Sequence, residues 1–409
     1  MSLYPTSDKT TTKPSDYQTE IYTKGVQGIK PRFSFDVSQW APLAKEILPA
    51  NSWGYVHGSA GMRETDDNNL AAFKKWALVP NRLVPTRQPD LSTKILGIDM
   101  PYPIALAPVG VLKIFHDDAE SGVASAAAEV NVPYTMSTAS ATSIEDVAKA
   151  SGDGLRFYQL YWPPNEHNDI TISILKRAAD NGFKALVVTL DTYILGWRPE
   201  DENHGFNPFL KPDTIGVDVG FTDPVYREHF KKETGKEVEE DMGKAAVTWA
   251  HLIFPGYSHG WEDVVFLKEH WKGPIVLKGI QTVRDAKKAV EVGVQGIVVS
   301  NHGGRQVDGC VASLDMLPEI AEAVGDKIDI IYDSGIRTGA DIARALALGA
   351  KACLIGRPYV YGLAFGGKDG VKHVLKSLLG ELDLTLQLAG IASVQKEHLN
   401  RECLRRTDA

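Results

Sequence analysis

Cysteine is scarce in this sequence and is not arranged in pairs. Only three occur among 409 residues, Cys310, Cys353 and Cys403, and no two of them are closely spaced. A disulfide framework needs paired cysteines, and zinc or redox sites of the CxxC type need two close together. The sequence therefore argues against both, predicts no metal site, and leads us to expect a reduced, cytoplasmic setting.

Long apolar runs and an excess of positive charge are lacking as well. No run approaches the ~18 apolar residues of a membrane helix. The opening MSLYPTSDKTTTKPSD has no apolar core of a signal peptide, and the final RRTDA is not an SKL-type address. Lys and Arg number 44 against 52 Asp and Glu, a net charge of −8. Neither a membrane nor nucleic acid is an expected partner, and an anionic substrate must be captured by a few placed cations.

Eight short apolar runs recur from about residue 100, each followed by an amphipathic stretch. The runs are mostly continuous, as expected of parallel strands that are buried on both faces. Hydroxyl residues three positions before a carboxylate, as in Thr282 and Asp285, predict helix starts between the runs, and Gly293 and Gly349 predict helix ends. The runs are residues 103–107 (PIALA), 132–136 (VPYTM), 155–160 (LRFYQL), 184–189 (KALVVT), 274–278 (PIVLK), 296–300 (GIVVS), 328–333 (IDIIYD) and 352–355 (ACLI).

The repeat of strand and helix predicts a (β/α)8 TIM barrel. A doubly wound sheet is the structural alternative, but the GxGxxG motif of a Rossmann sheet is absent. We assign residues 17–395 to the barrel domain, between a disordered tail at 1–16 and a C-terminal tail at 396–409.

Two regions of this domain depart from the barrel rhythm. Residues 17–95 are predicted as helices and a hairpin that precede the barrel, and residues 199–260 as an insert in the fourth βα connection. A structureless loop as long as this insert is uncommon in a compact domain, so it is predicted to be a lid or a binding element.

Polar residues follow the apolar runs almost entirely at their C-terminal ends, where barrel enzymes assemble active sites. The last two loops bring glycine N–H groups and arginines together, which predicts a phosphate site. In chain order the strand-end residues are Pro108, Val109, Gly110, Ser137, Gln159, Tyr161, Thr189, Asp191, Lys278, Ser300, His302, Arg305, Asp333, Gly335, Arg337, Gly356 and Arg357.

Some of these side chains suggest a chemistry. Lys278 closes an apolar strand, so its ammonium is expected in the barrel mouth, either in a buried salt bridge or as a Schiff-base nucleophile. His302 could act as a general base that Asp191 orients and charge-stabilises. Arg198 and Arg305 could form a fork for a carboxylate. Each residue also has a plain structural reading, as part of a turn or a surface ion pair.

Several motifs together resemble the FMN-dependent 2-hydroxyacid oxidase and dehydrogenase family, over about residues 45–395. The sequence is most similar to two members of that family, lactate 2-monooxygenase and lactate oxidase. The motifs are SNHGGRQVDG (300–309), LKG around Lys278, YDSGIRTGAD (332–341), ALALGAKACLIGRP (345–358), LYW (160–162) and TLDT (189–192).

The resemblance implies a role for each site residue. His302 would be the active-site base with Asp191 beside it, Lys278 would lie at the N1 and C2 carbonyl edge of the flavin, and Tyr161 would join the catalytic group. The substrate carboxylate and hydroxyl would be held by Tyr55, Tyr161, Arg198 and Arg305. FMN would be held by Pro108, Val109, Gly110, Ser137, Gln159, Thr189, Lys278 and Ser300, with its phosphate on Asp333, Gly335, Arg337, Gly356 and Arg357.

The chain also departs from the family pattern. Ala139 stands where glycolate oxidase has a tryptophan, as in lactate-type members, and it leaves room for more than the hydrogen of glycolate. The segment Asp333-Ser334-Gly335 replaces a common Asp-Gly-Gly. The long insert most resembles that of lactate 2-monooxygenase. Phe206 and Phe209 of the insert, with Trp197 just before it, are expected to select the substrate.

The function that the resemblance implies is the oxidation of an (S)-2-hydroxyacid, foremost L-lactate, with O2 as acceptor. If the insert retains the 2-oxo acid, lactate becomes acetate, CO2 and water. A plain oxidase would release the 2-oxo acid and hydrogen peroxide, and a Schiff-base aldolase on the same barrel is a more remote alternative. Family members also imply a homotetramer or homo-octamer.

Overall fold

Four helices and a small hairpin precede the barrel in the computed structural model, which describes residues 13–407. The first twelve residues of the predicted tail lie outside that range, and the first helix begins at the tail's last residue, Asp16. The elements are α1 (Asp16–Val26), α2 (Trp40–Ile47), α3 (Ala50–His57), α4 (Glu64–Lys74), β1 (Trp76–Leu78), β2 (Thr93–Ile95) and β3 (Ile98–Met100).

Eight parallel strands close into a barrel in which each strand pairs with the next along the chain and the last pairs with the first. The predicted (β/α)8 fold is therefore confirmed, with every strand lying within two residues of its predicted run. The strands are β4 (Ile104–Leu106), β5 (Tyr134–Ser137), β6 (Arg156–Leu160), β7 (Leu186–Thr189), β8 (Ile275–Ile280), β9 (Gly296–Val299), β10 (Asp329–Tyr332) and β11 (Ala352–Ile355).

Helices surround the barrel and begin where the sequence indicates. The hydroxyls of Ser143, Thr282 and Thr338 each accept a hydrogen bond from the amide three residues later, and Gly293 ends its helix in the left-handed conformation at φ 74°. The helices are α5 (Ala119–Glu129), α6 (Ile144–Ser151), α7 (Asn168–Asp180), α12 (Val264–His270), α13 (Val283–Val292), α14 (Ser313–Val324), α15 (Gly339–Ala347) and α16 (Arg357–Ala389), the last interrupted at Gly367.

Side chains along each strand alternate between the barrel interior and the helix layer. In β8, Val276 belongs to the interior cluster, whereas Ile275 and Leu277 pack in the outer core. Lys278 comes two residues after Val276 and therefore turns inward, at the C-terminal mouth. The same two-residue step turns the last inward position of the neighbouring strands toward this mouth, which gathers Ser137, Gln159, Thr189, Ser300 and Asp333.

The β2–β3 hairpin closes the opposite end of the barrel. Ile95, Leu96 and Met100 belong to the same apolar cluster as the interior strand residues. The amide of Leu96 donates to the Asp329 carboxylate at the start of β10. The barrel is thus accessible from its C-terminal mouth, where the polar residues lie.

The insert at residues 199–260 is folded and is not a structureless loop. It contains α8 (Pro199–Asn203), α9 (Asp218–Phe221), α10 (Pro224–Thr234) and α11 (Met242–Ile253). Tyr226 and Trp249 are buried with their ring centroids 5.1 Å apart, and Phe230 is buried beside them. The insert therefore has a small core of its own.

A buried carboxylate anchors the insert to the barrel. Asp223 caps α10 by accepting from the amides of Val225 and Tyr226. Its other oxygen accepts from Ser173 Oγ at 2.8 Å and from Arg177 Nη1 at 3.2 Å, both on α7. Because Asp223 is fully buried, these bonds hold α10 firmly against α7.

The C-terminal segment packs beside the end of α4, where the Thr407 hydroxyl donates to the Lys74 carbonyl at 2.8 Å. β12 (Leu404–Arg406) pairs antiparallel with β1, so the predicted C-terminal tail contributes a strand to the fold. Within residues 13–407, no helix has the length and apolar character needed to cross a membrane.

Asp223→Ala should loosen the insert from the barrel. The change leaves Arg177 without its buried partner and removes a helix cap, so we expect a loss of about 3 kcal/mol in the free energy of unfolding, measured by urea denaturation. Asp241→Ala is the matched control, because Asp241 caps α11 at the surface. Equal urea midpoints for the two variants would contradict the anchoring role.

Candidate active site

A cavity with an empty volume of about 1010 Å³ opens at the C-terminal mouth of the barrel. The structure brings most of the predicted site residues into one wall. They are Tyr55, Pro108, Val109, Gly110, Ala139, Tyr161, Arg198, Lys278, His302, Arg305, Asp333, Gly335, Arg337, Gly356 and Arg357.

The other predicted site residues lie behind this wall. Asp191 contacts His302 from the side away from the cavity, and Ser300 accepts a hydrogen bond from Lys278. Ser137 Oγ donates to Gln159 Oε1 at 2.9 Å. Thr189 lines a smaller neighbouring cavity instead.

Lys278 is a buried cation between two carboxylates. Its Nζ lies 3.6 Å from Asp333 Oδ2 and 3.9 Å from Asp191 Oδ2, and it donates to Ser300 Oγ at 3.2 Å. Burial opposes the charged form, but the two carboxylates outweigh it and raise the pKa of Lys278 above its usual value. The amine is therefore protonated, which does not suit a Schiff-base nucleophile.

His302 is held by Asp191 in one tautomer. Its Nδ1 lies 2.8 Å from Asp191 Oδ1. Burial opposes ionisation of Asp191, but the charge of Lys278 and the hydrogen bond from His302 hold the pKa of Asp191 well below the usual range. An ionised carboxylate can only accept, so Nδ1 carries the proton and Nε2 is left as a base. Burial, together with the charge of Lys278, lowers the pKa of His302 and keeps the ring neutral.

Thr192 also contacts this pair, a contact that sequence reasoning did not single out. Its hydroxyl lies 2.9 Å from Asp191 Oδ1 and 3.0 Å from His302 Nδ1. Since Nδ1 already donates, the hydroxyl donates to the carboxylate. The signal for this role was present in the TLDT motif, where Thr192 follows Asp191 directly.

Arg198 and Arg305 meet at the cavity, and both are bonded to neutral acceptors. Arg198 donates to the Arg305 carbonyl at 2.9 Å and to Gln306 Oε1 at 2.6 Å. Arg305 donates to the carbonyls of Tyr55 and Gly58 and lies over the Tyr55 ring, 5.0 Å from its centroid. Burial and the neighbouring Arg198 lower the pKa of Arg305 to about 10. Two adjacent cations without a hydrogen-bonded carboxylate in the described residues form a site for an anion.

An acid of the insert approaches this pair of arginines. Asp201 on α8 is partly buried, and its charge is felt by Arg198, Arg305 and Tyr55. Burial raises the pKa of Asp201 despite the two cations. Helix α8, which carries Asp201, can lie close to the end of α3 because Gly58, the residue after α3, has no side chain. A Cβ on Gly58 would fall 3.0 Å from the Glu200 Cβ. No motif in the sequence predicts this contact.

The residues along one side of the cavity fit the flavin of FMN. Gln159 Nε2 is buried and has no hydrogen-bond partner within residues 13–407, so it can donate to a ring carbonyl. A side chain on Gly110 would collide with the Ala139 carbonyl at 2.6 Å, so the close approach of these two cavity-lining segments requires glycine. Lys278 supplies the cation that a reduced, anionic flavin requires.

The two arginines at the predicted phosphate end differ in how many of their hydrogen-bond donors already have a partner in the protein. Within residues 13–407, Arg337 makes one side-chain hydrogen bond, from Nη1 to the Ile336 carbonyl, so its other donors can serve a ligand. Each donor nitrogen of Arg357 already has a protein acceptor, including Gly303 O at 2.9 Å and Ser59 Oγ at 3.1 Å. Arg337 is therefore the better candidate for a phosphate ligand, and Arg357 holds the surrounding loops.

Aromatic residues of the insert close part of the cavity. Phe209 and Phe254 lie in its wall with ring centroids 5.4 Å apart, and Tyr161 lies 5.0 Å from Phe254. The ring centroids of Phe206 and Tyr55 lie 6.4 Å apart.

The expectation for Trp197 was wrong: this side chain is 74% exposed and does not line the cavity, because it turns away from its neighbour Arg198. Phe115, Leu195 and Phe254 are wall residues that sequence reasoning missed, since apolar loop residues carry no signal distinct from core packing.

Three non-glycine residues at this site adopt the left-handed backbone conformation. They are Val111 at φ 53°, His302 at φ 59° and Ser334 at φ 87°. Such conformations cost about 1–3 kcal/mol each and persist where the surroundings over-determine them. Strain of this kind concentrates at functional sites, and all three residues belong to loops that form the cavity.

Comparisons with known proteins agree with this geometry. The family model for FMN-dependent dehydrogenases matches residues 44–406. An FMN-dependent alpha-hydroxy acid dehydrogenase of Schizosaccharomyces pombe is 60% identical over 96% of both chains. An L-lactate oxidase of Lysinibacillus sphaericus is 40% identical, over 86% of this chain and 88% of its own. The crystal structure of a mandelate oxidase superposes with a TM-score of 0.77 at 32% identity, covering 92% of this chain and 99% of that one.

The barrel, the cavity at its mouth and these matches over nearly the whole chain support one conclusion. The chain belongs to the FMN-dependent dehydrogenase family, whose members act as 2-hydroxyacid oxidoreductases, as its motifs indicate.

Proposed function

We propose that the protein oxidises (S)-2-hydroxyacids, with FMN as the redox cofactor and O2 as the final acceptor. One observation carries the proposal: a neutral His302, fixed through Nδ1 by Asp191, shares a cavity with two arginines, neither of which makes an ion pair or a hydrogen bond with a carboxylate within residues 13–407. A base next to an anion site is what removal of a proton from a hydroxy carboxylate requires. The names of the relatives support the same substrate class.

The protein residues divide the work as follows. Arg198 and Arg305 bind the substrate carboxylate, and the tyrosine hydroxyls of Tyr55 and Tyr161 orient the substrate hydroxyl. His302 Nε2 takes a proton as the hydroxyl-bearing carbon becomes a carbonyl, and Asp191 stabilises the resulting imidazolium. FMN, when bound, supplies the two-electron acceptor. The burial of these groups keeps water away and strengthens each charge interaction.

The insert can decide which products form, because it controls how long the 2-oxo acid stays in the cavity. With lactate and one O2, release of pyruvate gives hydrogen peroxide, whereas retention of pyruvate lets peroxide decarboxylate it to acetate, CO2 and water. Phe209 and Phe254 of the insert region line the cavity, and Asp223 anchors the insert to α7. A docked cover slows product release, so we propose lactate 2-monooxygenase activity. The oxidase outcome is the alternative, and the name of the lactate oxidase relative favours it.

The aldolase alternative loses support. A Schiff-base nucleophile must be a neutral amine. The charges of Asp191 and Asp333 raise the pKa of Lys278 more than burial lowers it, so the amine stays protonated. The cytoplasmic setting and the homotetramer or homo-octamer stay predictions.

His302→Gln should keep bound FMN but lose reduction of the flavin by (S)-lactate by about 10²- to 10⁴-fold, because the base is removed while the cavity is preserved. Anaerobic stopped-flow absorbance measures the rate. In the wild type, kcat/KM should fall only below the ordinary pKa of histidine, since burial lowers the pKa of His302. A variant that bleaches at the normal rate would remove His302 from its role.

Phe254→Ala should open the wall over the substrate and let the 2-oxo acid leave earlier. We expect the ratio of pyruvate plus peroxide to acetate to rise several-fold with lactate, measured by product analysis under air. Phe266→Ala is a control, since Phe266 lies on α12 away from the cavity. An unchanged ratio in Phe254→Ala would count against retention by this wall.

A further inference from the structure

Ser334 is a buried serine in a backbone conformation that suits glycine. It follows β10, has φ 87° and is 8% exposed. Glycine adopts such a conformation without a steric penalty, and the family pattern has glycine here. The chain therefore has a serine where the backbone conformation favours glycine, so the serine side chain is expected to have a function of its own.

The Ser334 hydroxyl lies at the centre of a small network. It accepts from the amide of Gly303 at 3.0 Å and from the amide of Asn301 at 3.4 Å. It donates its single proton to Asp333 Oδ1 at 2.8 Å. The directions are fixed, because backbone amides can only donate and an ionised carboxylate can only accept.

These bonds join two parts of the active site. Asn301 and Gly303 flank His302 in the loop after β9. Asp333 pairs with Lys278, whose Nζ donates to Ser300 Oγ, and that oxygen also accepts from the His302 amide at 3.1 Å. Ser334 thus closes a ring that runs from the histidine loop through Lys278 and Asp333 and back.

His302 depends on such support because its own backbone is strained. Its φ is 59°, and Gly303 and Gly304 follow at 64° and 74°. A run of left-handed residues is kept in place by the bonds that its amides make. Two of those bonds end on Ser334, on either side of the histidine.

We propose that Ser334 is a positioning residue: its hydroxyl fixes the His302 loop relative to the Lys278–Asp333 pair. This role explains why a serine occupies a backbone conformation that favours glycine. The inference rests on the proposed function, in which His302 is the base and Lys278 lies at the flavin. Ser334 also lines the cavity, but its hydroxyl is occupied by the amides of the His302 loop and by Asp333.

Two variants separate the hydroxyl from the backbone. Ser334→Ala loses the hydroxyl and keeps a side chain at φ 87°, whereas Ser334→Gly loses both the hydroxyl and the strain. We expect both to lower kcat for (S)-lactate by about 10- to 100-fold with little change in KM, because a misplaced base slows the reaction without weakening carboxylate binding. In urea denaturation, the glycine variant should unfold at a higher concentration than the alanine variant.

Hydrogen exchange of the Gly303 amide gives a readout that needs no turnover. With FMN bound, this amide should exchange at least 10-fold faster in both variants than in the wild type, because its acceptor is gone. Ser313→Ala is the matched control: Ser313 is fully buried, and its hydroxyl has no partner in the described chain. That variant should leave both kcat and the Gly303 exchange unchanged.

The results distinguish the role from ordinary structural support. If activity followed stability, so that Ser334→Gly worked at the wild-type rate while Ser334→Ala did not, the positioning role would be wrong. Unchanged Gly303 exchange in both variants would also overturn it. Should the wild type fail to oxidise any 2-hydroxyacid, the proposed function would fall, while the exchange and urea measurements would still decide whether Ser334 holds the histidine loop.

Discussion

The buried ammonium of Lys278 is the charge around which the barrel mouth is organised. It lies between Asp191 and Asp333, and its charge helps to hold the pKa of Asp191 below the usual range despite burial. Asp191 in turn sets the tautomer of His302, and Asp333 receives the hydroxyl of Ser334. Removing one charge from such a cluster would leave the others buried and unpaired. Cofactor edge, base and loop support are therefore parts of one electrostatic unit.

The regular geometry of the barrel is enough to position these residues. The two-residue period of a strand turns Lys278 inward, and the closed sheet brings the ends of neighbouring strands within reach of one another. The strained loops then finish the site by aiming the histidine and glycine backbone at the cavity. Stability comes from the packed strands and from the β2–β3 hairpin at the opposite end of the barrel. The mouth keeps its strained loops, and within the described chain Arg198 and Arg305 are hydrogen-bonded there to no carboxylate, which leaves their charge for an anionic ligand.

Much of this could be predicted from the sequence, because parallel strands and their polar ends are local patterns. The eight runs, the caps at Ser143, Thr282 and Thr338, and the gathering of Lys278, His302 and Asp333 follow from periodicity and from spacing along the chain. The fold of the insert, the role of Arg357 as a loop clamp and the outward turn of Trp197 did not follow. Each of these depends on contacts between segments that are distant in sequence, such as Asp223 with Arg177 or Arg357 with Gly303.

The proposed function requires that FMN and a 2-hydroxyacid meet in this one cavity beside His302. The decisive measurement is the visible spectrum of the purified protein before and after anaerobic addition of (S)-lactate or a longer (S)-2-hydroxyacid. We expect a yellow protein whose flavin absorbance bleaches with the (S) enantiomer and persists with the (R) enantiomer. A colourless native protein, or a flavin that no 2-hydroxyacid reduces, would contradict it.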